Sequence, residues 1–101
     1  MTNIKISNME STRGNLVPNQ FIINDYESRK TIFQSYDSTI IVIDRLNKVI
    51  EVHPDWDYSR TTGKYRNLFF DVEGFYELAS KKGLLEAIEK GEYRVYKVVL
   101  V

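Results

Sequence analysis

Hydrophobic and polar positions alternate through the first half of the chain, from about residue 19 onward. The runs Gln20–Asn24 and Thr31–Tyr36 are rich in β-branched and aromatic residues, and they flank the polar stretch Asp25–Lys30. Such a pattern predicts a β-hairpin. Ser38–Leu46 and Val49–His53 follow, separated by Asn47 and Lys48, and predict a second hairpin with its turn at Asn47.

The third of these strands differs from the others because Thr39–Ile43 is apolar on both faces. A strand of this kind is expected at the centre of a sheet, covered by helices. Pro54 has no N–H group to donate to a ladder, so it ends the fourth strand.

After Pro54 the hydrophobic period changes from two residues to about 3.6, which predicts an amphipathic helix. Its apolar face contains Tyr58, Tyr65, Leu68, Phe69 and Val72. Asp57 or Ser59 is expected to cap the first turn, and Gly74 to end the helix.

The last third of the chain predicts two shorter helical pieces and a strand. The pieces are Phe75–Lys81 and Leu84–Lys90, broken at Gly83, and Gly91 ends the second. Glu92–Val101 alternates again and predicts a final strand.

The predicted order of elements is therefore ββββααβ. This order indicates an α+β fold in which an antiparallel sheet of about five strands carries helices on one face. Met1–Pro18 shows no sustained period, so we expect residues 1–18 to form a flexible N-terminal arm and residues 19–101 a single domain. The arm is expected to be dispensable for folding.

The predicted core joins one face of the sheet to the apolar faces of the helices. On the sheet it contains Phe21, Ile23, Ile32, Ile41, Ile43, Val52 and Val98. On the helices it contains Tyr65, Leu68, Phe69, Leu85 and Ile88.

Composition and charge exclude several classes of protein. Fourteen lysines and arginines balance fourteen acidic residues, which excludes a polyanionic nucleic-acid mimic and argues against a DNA binder driven by surplus positive charge. Cysteine is absent, so disulfides and thiolate-bound metals are excluded. No apolar run approaches about 18 residues, and Met1–Asn8 lacks a signal-peptide pattern, so we expect a cytoplasmic protein without membrane contact.

The residue types needed for catalysis or metal binding are sparse. His53 is the one histidine and is expected to be an ordinary surface or half-buried side chain rather than a general base. Asp55 and Asp57 could offer oxygen ligands to a hard cation, but two carboxylates are too few for a site. We therefore expect no enzyme activity, no metal and no cofactor.

The segment Asp55–Asn67, DWDYSRTTGKYRN, concentrates the candidate binding residues. Cations and hydroxyls at the start of a helix suit an anion, because free N–H groups and the helix dipole favour negative charge there. The same residues also fit helix capping and a solvated charged face. The candidate partner- or anion-binding residues are Trp56, Tyr58, Ser59, Arg60, Thr61, Thr62, Lys64 and Arg66, with Tyr36 added from the break in the second strand.

Four strings in this order resemble a known group of proteins. They are NQFII from Asn19, IFQSY followed by Ser38, DWDYSRTTGKYRN followed by Leu68 and Phe69, and GEY at Gly91–Tyr93. Together they resemble short, mostly uncharacterised proteins encoded by phages, prophages and plasmids of Gram-positive bacteria. The likeness runs from Asn19 to Tyr93, while Phe69–Lys82 and the residues before Val17 depart from the pattern.

The resemblance implies an accessory protein of a mobile element. Proteins of that kind often bind and block host machinery, so the expected function is inhibition of a host defence protein in the host cytoplasm, with an anti-CRISPR protein as one form of it. The alternative from the residues themselves is a binder of nucleic acid or of a phosphorylated small molecule through Asp55–Asn67. Steep loss of binding with salt would distinguish nucleic-acid binding from protein binding.

Overall fold

The computed structural model describes residues 3–101, which form seven strands and two α-helices. The strands are β1 (Ile4–Glu10), β2 (Leu16–Asp25), β3 (Lys30–Ser35), β4 (Ser38–Asp44), β5 (Val49–Val52), β6 (Glu92–Tyr93) and β7 (Tyr96–Leu100). The helices are α1 (Arg60–Val72) and α2 (Lys81–Lys90), and short 3-10 helices lie at Pro54–Asp57 and Tyr76–Leu78. No helix within residues 3–101 is long and apolar enough to cross a bilayer.

All seven strands belong to one sheet with the order β1-β2-β3-β4-β5-β7-β6. Neighbouring strands are antiparallel except β5 and β7, which pair in parallel. The parallel pair arises because the chain leaves β5, forms both helices and returns to the same edge, a crossover long enough for parallel pairing. The α+β class is confirmed. The predicted count of about five strands is too low, since β1 was missed and Glu92–Val101 is a hairpin of two strands.

The part of the predicted N-terminal arm that the structure describes is not an arm. Ile4–Glu10 forms β1 and pairs with β2, for example Ile6 with Ile23. Met9 is buried in the core. Most other β1 side chains are exposed because the strand forms the edge of the sheet, so they show no alternation that the sequence could have revealed. Met1 and Thr2 lie outside the described residues.

The core lies between one face of the sheet and the two helices. Phe33, Ile41, Ile43, Ile50, Val52 and Val98 are buried there. The helical side contributes Tyr65, Phe69, Phe70, Leu84 and Ala87, with Phe75 and Leu78 from the segment between the helices.

Three of the seven residues predicted for the sheet core lie on the other face. Phe21, Ile23 and Ile32 are only partly buried and stand outside the core cluster, because the helix-facing positions of β3 are Thr31, Phe33 and Ser35. Both faces of β2 and β3 carry apolar side chains, so alternation did not reveal which face the helices cover. On α2, Leu84 is buried in place of the predicted Leu85.

The helix ends follow their capping chemistry. Ser59 caps α1 by accepting a hydrogen bond from the Thr62 N–H at 3.2 Å, so Tyr58 precedes the helix instead of lying on its face. Gly91 ends α2 in the left-handed conformation at φ 72°, as predicted. The predicted break at Gly83 is wrong, since α2 runs through this residue.

Candidate functional site

A cavity of about 640 Å³ opens where the start of α1 meets the β3–β4 turn. We call it the α1 cavity. Its lining comes from three places: the turn residues 35–38 with Ile40, the 3-10 helix before α1, and the first turn of α1. The residues outside the turn are Ile40, Asp55, Tyr58, Ser59, Thr61 and Thr62. The volume is in the usual range for a ligand site.

A chain of hydroxyl groups joins the sheet to the start of α1 beneath this cavity. The hydroxyls of Ser35 and Thr62 are hydrogen-bonded at 3.0 Å in a buried position. The Ser59 hydroxyl donates to Thr62 Oγ1 at 3.2 Å while it also caps the helix. These contacts join the first turn of α1 to β3, so the cavity has a hydrogen-bonded floor.

Thr62 is 2% exposed and Thr61 is exposed, which makes the two neighbours a matched pair. We expect Thr62→Val to lower the free energy of unfolding by about 1 kcal/mol, because the buried Ser35 hydroxyl then loses its partner. Thr61→Val should change it by less than about 0.5 kcal/mol. Urea unfolding of both variants checks this, and equal stabilities would show that the hydroxyl chain does not hold the helix start.

The β3–β4 turn presents Tyr36 at the rim of the cavity. Tyr36 has φ 54°, in the left-handed region that a bulky residue adopts only under constraint. Its N–H donates to Asn19 O at 2.7 Å, and its carbonyl accepts from Gln34 Nε2 at 2.8 Å. Asn19, Arg29, Lys48 and Arg94 also have positive φ, so this conformation recurs among residues 3–101 and is not particular to the cavity. The residue is 52% exposed, so the turn presents an aromatic side chain to solvent.

The charged groups of the cavity are acidic. Asp37 and Asp55 line it, and the Ser38 hydroxyl donates to Asp55 Oδ2 at 2.9 Å. Tyr58, 77% exposed, completes the rim. No lysine or arginine within residues 3–101 is among the lining residues.

Arg66, a predicted binding residue, is a structural side chain and is only 1% exposed. Its Nη1 donates to the Trp56 carbonyl at 2.5 Å, its Nη2 donates to Asn67 Oδ1 at 3.0 Å, and its guanidinium lies 5.4 Å from the centre of the Trp56 ring. Burial lowers the pKa of Arg66, and the nearby Asp57 carboxylate opposes that shift. Arg66 therefore holds the 3-10 helix against α1.

The sequence contained a signal for this role. The buried positions of α1 are Thr62, Tyr65, Arg66, Phe69 and Phe70, which follow one helix face at spacings of three and four. Arg66 lies in that stripe, whereas Arg60 and Lys64 are exposed and do not line the cavity.

The predicted site residues therefore fall into two groups. Tyr36, Tyr58, Ser59, Thr61 and Thr62 line the α1 cavity. Trp56, Arg60, Lys64 and Arg66 do not. The turn residues Ser35, Asp37 and Ser38 and the carboxylate of Asp55 also line it and were absent from the predicted set.

The remaining candidate groups have local partners. His53 Nε2 lies 3.0 Å from Glu51 Oε1, outside the cavity. Asp57 pairs with Lys81 Nζ at 2.7 Å. Among residues 3–101 no three acidic or histidine side chains gather in a group that could hold a metal ion.

Comparison with known proteins gives a family and no function. A family model described as "Family of unknown function (DUF8033)" matches residues 4–86. The chain belongs to this family. The match to DUF8033 begins with β1 and encloses every residue that lines the α1 cavity, so the first strand is part of the family's shared unit. No curated protein and no solved structure matches the chain significantly.

Proposed function

We propose that this protein is a non-catalytic binding protein that docks on a partner protein through the α1 cavity. The observation that carries the proposal is the combination of a hydrogen-bonded hydroxyl floor with two exposed aromatic residues, Tyr36 and Tyr58, at the rim. Exposed tyrosines around a concave site are typical of protein recognition, because a tyrosine supplies large contact area and loses little conformational entropy.

The lining supports binding more than catalysis. The hydroxyls of Ser35, Ser59 and Thr62 bond to one another, and His53 lies elsewhere with Glu51 as its partner. An activated hydroxyl nucleophile needs an adjacent general base that a third group orients. The Ser38 hydroxyl has the Asp55 carboxylate beside it at 2.9 Å, but no histidine is among the described residues that line the cavity.

The identity of the partner comes from the resemblance to mobile-element proteins. We propose a host defence protein in the cytoplasm of a bacterium, with a CRISPR–Cas effector as one candidate. The alternative, a nucleic acid or phosphorylated small molecule bound at Asp55–Asn67, is less well supported. Asp37 and Asp55 would repel a phosphate at the cavity, and Arg66 is buried away from any ligand.

The test is affinity capture from a bacterial host lysate with the full chain as bait, with and without nuclease. Three baits are compared: wild type, Thr61→Trp, and Arg60→Glu with Lys64→Glu. Thr61 is exposed at the cavity, so the tryptophan fills the space without touching the core. We expect Thr61→Trp to weaken affinity for the captured protein by more than about tenfold in calorimetric titration.

The double charge reversal is expected to change affinity less than about fivefold, since exposed charges outside an interface contribute little. A partner that binds Thr61→Trp as tightly as wild type would contradict docking at the cavity. A partner lost on nuclease treatment, or lost only with the Arg60 and Lys64 reversals, would favour the alternative surface.

A further inference from the structure

We infer that the α1 cavity receives a cationic side chain, an arginine or lysine, from the partner protein. The inference rests on the proposed function, since it names the chemistry of the group that the docking site binds. It is carried by the charge of the lining and by the two tyrosines at the rim.

Within residues 3–101 the carboxylates of the cavity have no salt-bridge partner. The salt bridges among residues 3–101 involve Glu51, Asp57, Glu73 and Glu77 but neither Asp37 nor Asp55. The Asp55 carboxylate accepts one hydrogen bond, from the Ser38 hydroxyl, which leaves its other oxygen for a donor from outside. A guanidinium or ammonium N–H makes a charge-assisted hydrogen bond to a free carboxylate oxygen of this kind.

The positive end of the helix dipole at the start of α1 opposes a cation, so its charge must be compared with that of the two carboxylates. A helix N-terminus acts as about half a positive charge, whereas two ionised carboxylates supply two full negative charges. Ser59 already accepts from the Thr62 N–H, which partly satisfies the helix start. The cavity therefore favours a positive ligand over a phosphate.

The tyrosines at the rim are the second observation. Elsewhere in the chain, cations lie over the rings of Tyr65, Tyr93 and Tyr96 at 5.4, 4.9 and 5.3 Å respectively. Within residues 3–101 no cation occupies the corresponding place over Tyr36 or Tyr58. Exposed tyrosine faces beside two carboxylates favour an incoming guanidinium or ammonium group.

The turn adds preorganisation. Tyr36 is held at φ 54° by hydrogen bonds to Asn19 and Gln34, so its ring and the carboxylate of Asp37 share one constrained two-residue turn. A site ordered before binding loses less entropy when the partner docks.

The experiment is an NMR titration of the full ¹⁵N-labelled chain with short peptides that differ in one residue. The probes are acetyl-Gly-Gly-Arg-Gly-Gly-amide and its lysine, citrulline and glutamate versions, with inorganic phosphate as a further probe. We expect the arginine and lysine peptides to shift amide signals of residues 35–38 and 58–62, with dissociation constants of about millimolar. Citrulline, glutamate and phosphate should leave these signals unchanged.

Two aspartate variants test whether the carboxylates of the cavity are needed for binding of the arginine peptide. Asp55→Asn keeps an oxygen for Ser38, and Asp37→Asn lies in an exposed turn, so both should fold. Each should weaken arginine binding by about threefold to tenfold, whereas Glu89→Gln on the exposed face of α2 should not change it.

Equal shifts with citrulline and arginine, shifts with phosphate at these amides, no shifts there at all, or unchanged binding in both aspartate variants would overturn the cationic ligand. These outcomes leave the docking proposal standing, because Thr61→Trp tests the cavity without reference to charge. The docking proposal would instead be contradicted if Thr61→Trp bound the captured protein as tightly as the wild type does.

Discussion

Replacing Phe69 with alanine is expected to lower the free energy of unfolding by about 3–5 kcal/mol. Phe69 is fully buried on α1, and its ring stacks on Phe33 of β3 at a centroid distance of 5.6 Å and touches Phe70 at 5.8 Å. Truncation removes the contact that joins α1 to the centre of the sheet and leaves a cavity that rigid neighbours cannot fill. For a domain of this size the loss is a large part of the total stability.

Phe21→Ala is the matched control. Phe21 is the same residue type, but it lies on the face of the sheet that the helices do not cover and is partly buried. We expect its truncation to cost no more than about 2 kcal/mol, since less apolar area is lost. Urea unfolding measures the loss of stability in both variants, provided that their m-values equal that of the wild type. Similar losses for the two variants would show that the assignment of the sheet faces is wrong.

The contrast between Phe69 and Phe21 also shows what the sequence could predict about the fold. The helix period of residues 58–72 correctly placed Phe69 and Tyr65 in the core, because apolar residues at helical spacing define one face. It also placed Val72 on that face, and Val72 is exposed at the end of α1. The faces of β2 and β3 could not be assigned, because a slip of one residue exchanges them and both carry apolar side chains. Pairing of β5 with β7 depends on contacts distant in sequence and has no local signal.

The candidate site shows a similar division. Counting cations and hydroxyls located the start of α1, and five of the predicted residues line the cavity. The count could not tell in which direction each side chain points, so Arg66 was grouped with Arg60 although the helix buries it against Trp56. The two acidic residues of the lining are Asp37 of the β3–β4 turn and Asp55 of the 3-10 helix, and only the folded chain places both at the same cavity.

The helix break predicted at Gly83 was also wrong, and it was predicted because glycine often interrupts a helix. The helix is continuous, and the reason for glycine is a close approach of backbone. A Cβ added to Gly83 would overlap the Glu77 carbonyl oxygen, and it would lie 3.0 Å from the Glu77 carbonyl carbon and 3.1 Å from Ser80 Oγ. Glycine is required here because the Tyr76–Leu78 turn packs directly on the start of α2.

We therefore expect the same substitution at two helical glycines to change stability in opposite directions. Gly83→Ala should lower the free energy of unfolding by about 3 kcal/mol, because a backbone carbonyl cannot rotate aside as a side chain can, and the gain in helix propensity offsets only about 1 kcal/mol. Moving the turn would also displace Leu78 from the core and disturb the cap from Ser80, whose Oγ accepts from Gly83 N–H at 3.0 Å.

Gly63→Ala in α1 is the control for Gly83→Ala, because a Cβ there would meet only the Arg66 guanidinium nitrogens at 3.8 Å, an ordinary contact. It should raise the free energy of unfolding by about 0.5–1 kcal/mol through helix propensity alone. Thermal and urea unfolding of both variants measure whether each substitution raises or lowers the free energy of unfolding. Stabilisation by alanine at both positions would mean that the Tyr76–Leu78 turn does not lie against α2, and destabilisation at both would mean that α1 also needs a close approach at residue 63.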